Sequence, residues 1–428
     1  MLGRSVTESG VLSKKIAKVY NAAYNDEAAM ILLIACNQEK MHEEIMEHKI
    51  KSTILLGIGI VYIFAFSTFY YQFQGLYGSQ GIQPLNQRID NGLLGIAGER
   101  LLSHANIDSI YEATSLIGLI IAMLSVAFRP MRNTFSFSIM YACYLISQSP
   151  RIMCLSNQWD MLLLESGFLT ILLSCRLFDI KPVMFLFRWL TFRFIFSSGS
   201  MTLLNRCPLW WSLQGLQNHY QNQCLPTVLS YFVHKLPLIV HKFSEAIFLI
   251  ISIGFSWPLI LPFRRLRNVS FLSIALLQFA LFLTTNHSFS NFLVTLIGYS
   301  TLSSNFSRKI DVSLYSQFIK ITKNLLSYFI IPLGLIVICI LHWFGLTIDY
   351  ANKEIDLSIK FSYYHFFEFV NYAVILSCII GYIHLLYIFI ISFNRSIINS
   401  RGSFGTTIAF YRQTYRLAFK NNIIYNIS

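Results

Sequence analysis

Residues 187–237 read FRWLTFRFIFSSGSMTLLNRCPLWWSLQGLQNHYQNQCLPTVLSYFVHKLP. An apolar run of membrane-helix character carries two arginines, Arg188 and Arg193, and then opens into a polar, aromatic and proline-punctuated loop. A guanidinium is costly in hydrocarbon, so these side chains are expected to face protein, water or lipid headgroups. The stretch therefore predicts a helix packed within a membrane bundle, followed by a structured loop at one membrane face.

Composition points the same way. Of 428 residues, 55% are hydrophobic and only 12% are charged, and the mean hydropathy is +0.54, whereas soluble domains carry about 25% charged residues. We read an all-α fold, a polytopic membrane helix bundle of about eight to ten transmembrane helices, each near the ~20 residues that cross the hydrocarbon core. Candidate spans are Ser52–Tyr71, Ile110–Phe128, Thr134–Gln148, Met161–Cys175, Val183–Ser200, Ser244–Phe263, Val269–Thr285, Asn291–Ser304, Leu325–Phe344 and Tyr372–Phe393. The third, fourth and eighth are short. The chain thus divides into an N-terminal arm, 1–51, cytosolic or interfacial; a bundle, 52–393, with marked loops at 72–109 and 201–243; and a basic tail, 394–428.

Lysine and arginine enrich cytoplasmic loops. They gather in the arm (Lys14, Lys15, Lys18, Lys49, Lys51) and then at Arg129 and Arg132, Arg176 and Lys181, Arg264, Arg265 and Arg267, and Arg308 and Lys309. Loops 72–109, 149–160, 201–243 and 345–371 are accordingly expected on the opposite, lumenal face. The net charge of +13 follows from this alternation and does not indicate a nucleic-acid partner; membrane lipid is the expected surrounding.

Glu165 lies in one predicted helix, and Arg188 and Arg193 lie in the next. Pairing a carboxylate with a guanidinium is the usual way such charges are tolerated. The pair would be either a packing lock between helices or a site for an anionic or amphipathic ligand. Among eight cysteines, Cys207 and Cys224 share one predicted lumenal loop and could bridge in an oxidising compartment. No Cys and His spacing suggests a metal site, and no cofactor is expected. Of the Asn-x-Ser acceptors, Asn286 is the one that this topology favours for glycosylation.

His219, His234 and His241 fall in the same loop beside Trp210, Trp211 and Tyr220. Histidine serves acid–base chemistry, but no nucleophile and orienting carboxylate stand at a recognisable spacing, so no catalytic residue is assigned. Ser197-Ser198-Gly199-Ser200 follows a helix and is not a nucleophile elbow; small residues there let helices approach closely. The aromatic group suits either a membrane-interface belt or a hydrophobic binding surface.

The order Arg188-Trp189-Leu190-x-Phe192-Arg193, Pro208-Leu209-Trp210, Leu216, His219-Tyr220, Gln223, Leu225-Pro226-Thr227 and His234-Lys235-Leu236-Pro237 resembles the signature of the lipase maturation factor family. Two upstream blocks agree, one from Tyr71 to Ile82 and one joining Gln158-Trp159-Asp160 to Leu162–Leu169. Thr285–Phe292 and, more weakly, Asn399–Gly405 follow in order. The resemblance implies a multi-pass protein of the endoplasmic reticulum membrane that helps secreted dimeric lipases reach an active fold. Its partners would be those lipase clients, with Tyr77, Trp210, Trp211, His219 and Tyr220 as candidate contacts. It further implies that 394–428 is the shortened start of the family's C-terminal domain. Two alternatives stay open: an enzyme of the γ-carboxylase-like membrane superfamily, to which the family looks distantly similar, and a transporter.

Overall fold

The computed structural model describes residues 27–82, 84, 107–154, 158–175, 180–223, 225–261, 263–287, 289–302, 330–349 and 354–396. Its helices are α1 (Glu27–Leu76), α2 (Ile107–Ala127), α3 (Thr134–Cys154), α4 (Gln158–Ser174), α5 (Ile180–Leu204), three short helices α6 (Pro208–Trp211), α7 (Gly215–Gln221) and α8 (Val228–His234), then α9 (Leu238–Leu249), α10 (Arg264–Thr284) and α11 (Ser290–Gly298). Helix α12 spans Ile330–Trp343, strands β1 (Phe344–Asp349) and β2 (Glu354–Ile359) form a hairpin, and α13 (Tyr363–Ser396) follows. Among the described residues, five segments are long and apolar enough to cross a membrane: Ile45–Leu76, Asp108–Ala127, Leu238–Leu259, Arg265–Thr284 and Tyr363–Ile383. The chain is an all-α polytopic bundle.

The charged helices lie at its centre. In α4 the run Leu162–Gly167 is buried throughout, and in α5 so are Val183–Phe187 and Trp189–Phe192. The peripheral helices α2, α10 and α13 instead present Ile117, Ile120, Met123, Phe279, Phe282, Ile375 and Ile379 outward. Hydrocarbon-facing surface must be apolar, whereas a helix enclosed by other helices can carry a paired charge. This division is what positions the interior polar groups.

Inside lipid, helices associate through close packing rather than through escape from water. Trp189, Tyr62, Tyr144, Phe66, Phe137, Phe187 and Phe192 are fully enclosed. The Tyr62 and Phe66 rings each meet Tyr144 edge-on at 5.7 Å. Glycine permits the tightest approach: a Cβ on Gly167 of α4 would stand 2.1 Å from the Tyr62 hydroxyl of α1. The small-residue run in α5 behaves as its sequence suggests, since a Cβ on Gly199 would lie 2.6 Å from the Cβ of Ser252.

Local signals set several boundaries. Arg132 donates from Nε to Ser125 O and from Nη2 to Val126 O, both at 2.9 Å, closing the C-terminus of α2. Asn133 accepts from Ser136 N at 2.9 Å and caps α3. The predicted span Ser244–Phe263 begins earlier, at Leu238. It changes to π-helical winding over Ile250–Gly254 and to a 3-10 turn over Trp257–Leu259. The short eighth span is a nine-residue helix followed by a 3-10 turn, Tyr299–Leu302. The arm is helical from Glu27 and runs without a break into the first span.

The stretch expected as a plain loop at 345–371 contains the β-hairpin, with Phe344 opposite Ile359, Leu346 opposite Leu357 and Ile348 opposite Ile355. Side chains alternate along a strand, so these six residues share one face. Phe344 and Leu357 at its base are buried against the bundle.

Candidate functional site

The loops after α5 and α10, the starts of α4 and α13 and the hairpin meet at one end of the bundle, here called the Leu204 end. Trp211 Nε1 donates to Leu203 O at 3.0 Å, and its ring is surrounded by Phe361, Tyr363 and Phe366. The Arg206 guanidinium lies 4.3 Å from the centre of the Tyr363 ring. Lys242 of α9 forms an ion pair with Asp356 of β2, which ties the hairpin down; this partner holds the Asp356 carboxyl below its ordinary 3.8. Arg206 and Leu213, at φ 53° and 57°, bracket α6 in the left-handed region, a conformation non-glycine residues rarely adopt and one that marks tightly specified turns.

The short helix α7 brings the polar groups together. A Cβ on Gly215 would lie 2.4 Å from the Trp210 ring, so glycine lets Trp210 cross the start of the helix. Glu245 of α9, fully buried, accepts from Leu216 N at 3.1 Å through Oε2. A carboxyl group from another helix thereby meets the open amides that begin α7. Its Oε1 and the Nε2 of buried His241 have no hydrogen-bond partner among the described residues. The Tyr220 ring lies 6.1 Å from His241. Burial pushes the Tyr220 phenol up.

His219 faces His287, which follows α10, with ring centres 5.7 Å apart. Trp159 of α4 meets His287 edge-on at 6.5 Å. Burial pulls both imidazoles below their ordinary 6.5, and the nearby His219 lowers His287 further. Gln223 Nε2 donates to Thr284 O at 3.2 Å, and Thr227 Oγ1 to Leu283 O at 3.0 Å. Next to Trp159 in α4, Asp160 accepts from the Tyr144 hydroxyl through Oδ1 at 2.6 Å. The arrangement gathers imidazole rings and a buried carboxyl group around α7. Among the described residues no group of three or more His, Cys, Asp or Glu is placed to hold a metal ion.

Glu165 and Arg193 pair across α4 and α5. Arg188 lies elsewhere, toward the opposite end, in the field of Arg267 and Glu47; Glu47 is also 3.7 Å from Lys181. The aromatic candidates turn inward. Tyr77 is buried with Phe73 and Tyr111, Tyr220 is buried, and Trp210 and Trp211 are half-buried, with Trp210 beside Phe248. His219 is half-buried. Cys207, just before α6, carries a free thiol, and Cys224 lies outside the described residues. Asn286 is exposed immediately after α10. Sequence reasoning gave no role to Glu245, Lys242 or His287; the readable signal for the first two was a charged trio, His241, Lys242 and Glu245, inside an otherwise apolar run.

These features define a multi-pass membrane protein with buried charges at its centre and a histidine- and tryptophan-rich cap at one end. A family model, the lipase maturation factor transmembrane domain, matches residues 49–309, and the chain belongs to the lipase maturation factor family. It is 32% identical to lipase maturation factor 2 of Xenopus laevis over 362 residues, 76% of this chain and 50% of that protein. Against lipase maturation factor 2 of Homo sapiens the identity is 30% over 75% of this chain and 50% of that protein. Lipase maturation factor 1 of Bos taurus is 28% identical over 56% of this chain and 46% of that protein. The chain spans about half the length of the curated relatives it matches. No solved structure matches it.

Proposed function

We propose that this protein is a non-catalytic maturation factor of the endoplasmic reticulum membrane that helps secreted, dimeric lipases reach their active fold, with the Leu204 end facing the lumen. The observation that carries the reading is the family match across the bundle, taken with the names of the relatives, lipase maturation factors 2 and 1. The placement of the marked blocks supports it: Trp159, Trp210, His219, Tyr220, Gln223, Thr227 and His287 assemble one cap rather than scattering. A chaperone-like factor needs a stable platform beside a folding client, whose transiently exposed apolar surface and strand edges are what aggregation threatens. The hairpin offers such a platform, because Leu346, Ile348 and Ile355 are exposed on the face whose base is anchored in the bundle.

The test is rescue. The chain is expressed with a secreted dimeric lipase in cells lacking their own maturation factor, and lipase activity and lipase mass are measured in the medium. Restored activity per unit mass is expected. Unchanged specific activity, with this protein abundant in the endoplasmic reticulum membrane, would overturn the proposal.

A further inference from the structure

Residues 225–240 read LPTVLSYFVHKLPLIV and carry one formal charge, Lys235. Although they belong to a loop region, Leu225, Val228, Tyr231, Phe232, Leu236 and Leu238 are exposed, Val228 at 81% and Phe232 at 60%. A contiguous apolar surface of this kind is rarely left to water. Its side chains are held outward by polar anchoring on the other side of α8: Ser230 is buried, Thr227 accepts from Ser230 N at 3.2 Å, and the Thr227 hydroxyl donates to Leu283 O at 3.0 Å.

That last bond decides what covers the surface. Leu283 lies on the exposed face of α10, one of the five membrane-crossing segments, together with Leu276 and Phe279 at helical spacing, and Phe282 beside them. This is the face that α10 turns to lipid. The apolar side of α8 begins where that face ends, at the last turn of α10, so the two form one continuous apolar surface. The Lys235 ammonium lies 4.2 Å from the centre of the Tyr231 ring, and a tyrosine with a long cationic chain is suited to the boundary between headgroups and acyl chains. We propose that residues 225–240 are an interfacial element that dips into the lipid leaflet at the Leu204 end, binding the acyl–headgroup boundary as a surface-lying amphipathic segment does. The proposal is independent of the lipase reading.

The experiment places a nitroxide amino acid at Val228 or Phe232, genetically encoded so that the native cysteines stay unlabelled, in the full chain reconstituted into phosphatidylcholine vesicles. Collision rates with oxygen, which concentrates in lipid, and with a water-soluble nickel chelate are compared with labels at Phe279, on the lipid face, and at Asn222, exposed in the turn after α7. The ratio of oxygen to nickel collisions at 228 and 232 is expected to match Phe279 and to exceed Asn222 several-fold. A ratio equal to that at Asn222 would place the segment in water and overturn the proposal. Protection from both reagents would also overturn it, since protein, in these vesicles a second copy of the chain, would then be the cover. If labelling within α8 prevents folding, a label at Leu225, outside the helix, reads the same ratio.

Discussion

Removing one member of the Glu165–Arg193 pair should cost far more than removing both. The two side chains are 4% and 12% exposed, and they join helices adjacent in sequence and in space. Taking away one partner strands a charge in a low-dielectric interior, which costs about 3–5 kcal/mol, or about two to four decades in the folded-to-unfolded ratio. Replacing the pair by apolar residues of similar volume, Glu165→Leu with Arg193→Met, removes the desolvation penalty as well and should fall within about 2 kcal/mol of the parent. The assay is a double-mutant cycle on the chain in lipid nanodiscs, following thermal loss of the monodisperse peak and, in parallel, rescue of lipase secretion. The cycle isolates the coupling even though each residue has other neighbours. A packing lock predicts that both single variants lose folded protein and that the double variant regains stability and rescue together. Single variants within about 1 kcal/mol of the parent, or a double variant as unstable as the sum of the singles, would refute the reasoning. A double variant that is stable yet inactive would turn the pair from a lock into a ligand site.

Gly167→Ala should destabilise by about 1–3 kcal/mol, as overpacking does, because the new methyl group meets the Tyr62 hydroxyl; adding Tyr62→Phe should restore most of the loss in the same thermal assay. His219 and His287 have folded-state values below 6.5, so the neutral rings are favoured in the fold. Their contribution is complete above that value and is lost as pH falls through the lower folded values. Proteolytic resistance of the cap should therefore decline as pH falls below the ordinary histidine value of 6.5, and a chain with both residues changed to Gln should show a flatter profile. Lys242→Met keeps the stem but removes the tie to Asp356, so amide exchange across Phe344–Asp349 and Glu354–Ile359 should quicken while exchange in α4 and α5 stays unchanged. Equal exchange in both chains would show that apolar packing at Phe344 and Leu357 alone holds the hairpin.

The bundle was legible because hydrocarbon leaves a long, unambiguous trace, and α1, α2, α10 and α13 carry it plainly. Its central pairing was half legible. Glu165 and two arginines on consecutive helices signalled an ion pair, but five residues at about 100° each set Arg188 and Arg193 about 140° apart. Only one can face α4, and it is Arg193. The hairpin was also readable locally: EIDLSI alternates acidic or polar residues with Ile355, Leu357 and Ile359, a period of two that the surrounding hydropathy hid. The cap was least legible. His219 meets His287, and Glu245 reaches Leu216, across long sequence separations that no spacing rule connects. Trp210, Trp211 and Tyr220, read from the sequence as candidate contacts, pack at least partly inward against Phe248, Phe361 and His241, neighbours that no local spacing announces.

A helix bearing a guanidinium is a poor guest for lipid on its own, and the enclosed positions of α4 and α5 give that fact a temporal meaning. We expect the two helices to enter the membrane as a coupled hairpin, with Arg193 meeting Glu165 before either is released to lipid, and the helices around them to close later. The order of biogenesis is then written into the placement of charge. An error at Glu165 would first appear as a chain held back during insertion, long before it could appear as a folded protein with a weakened core.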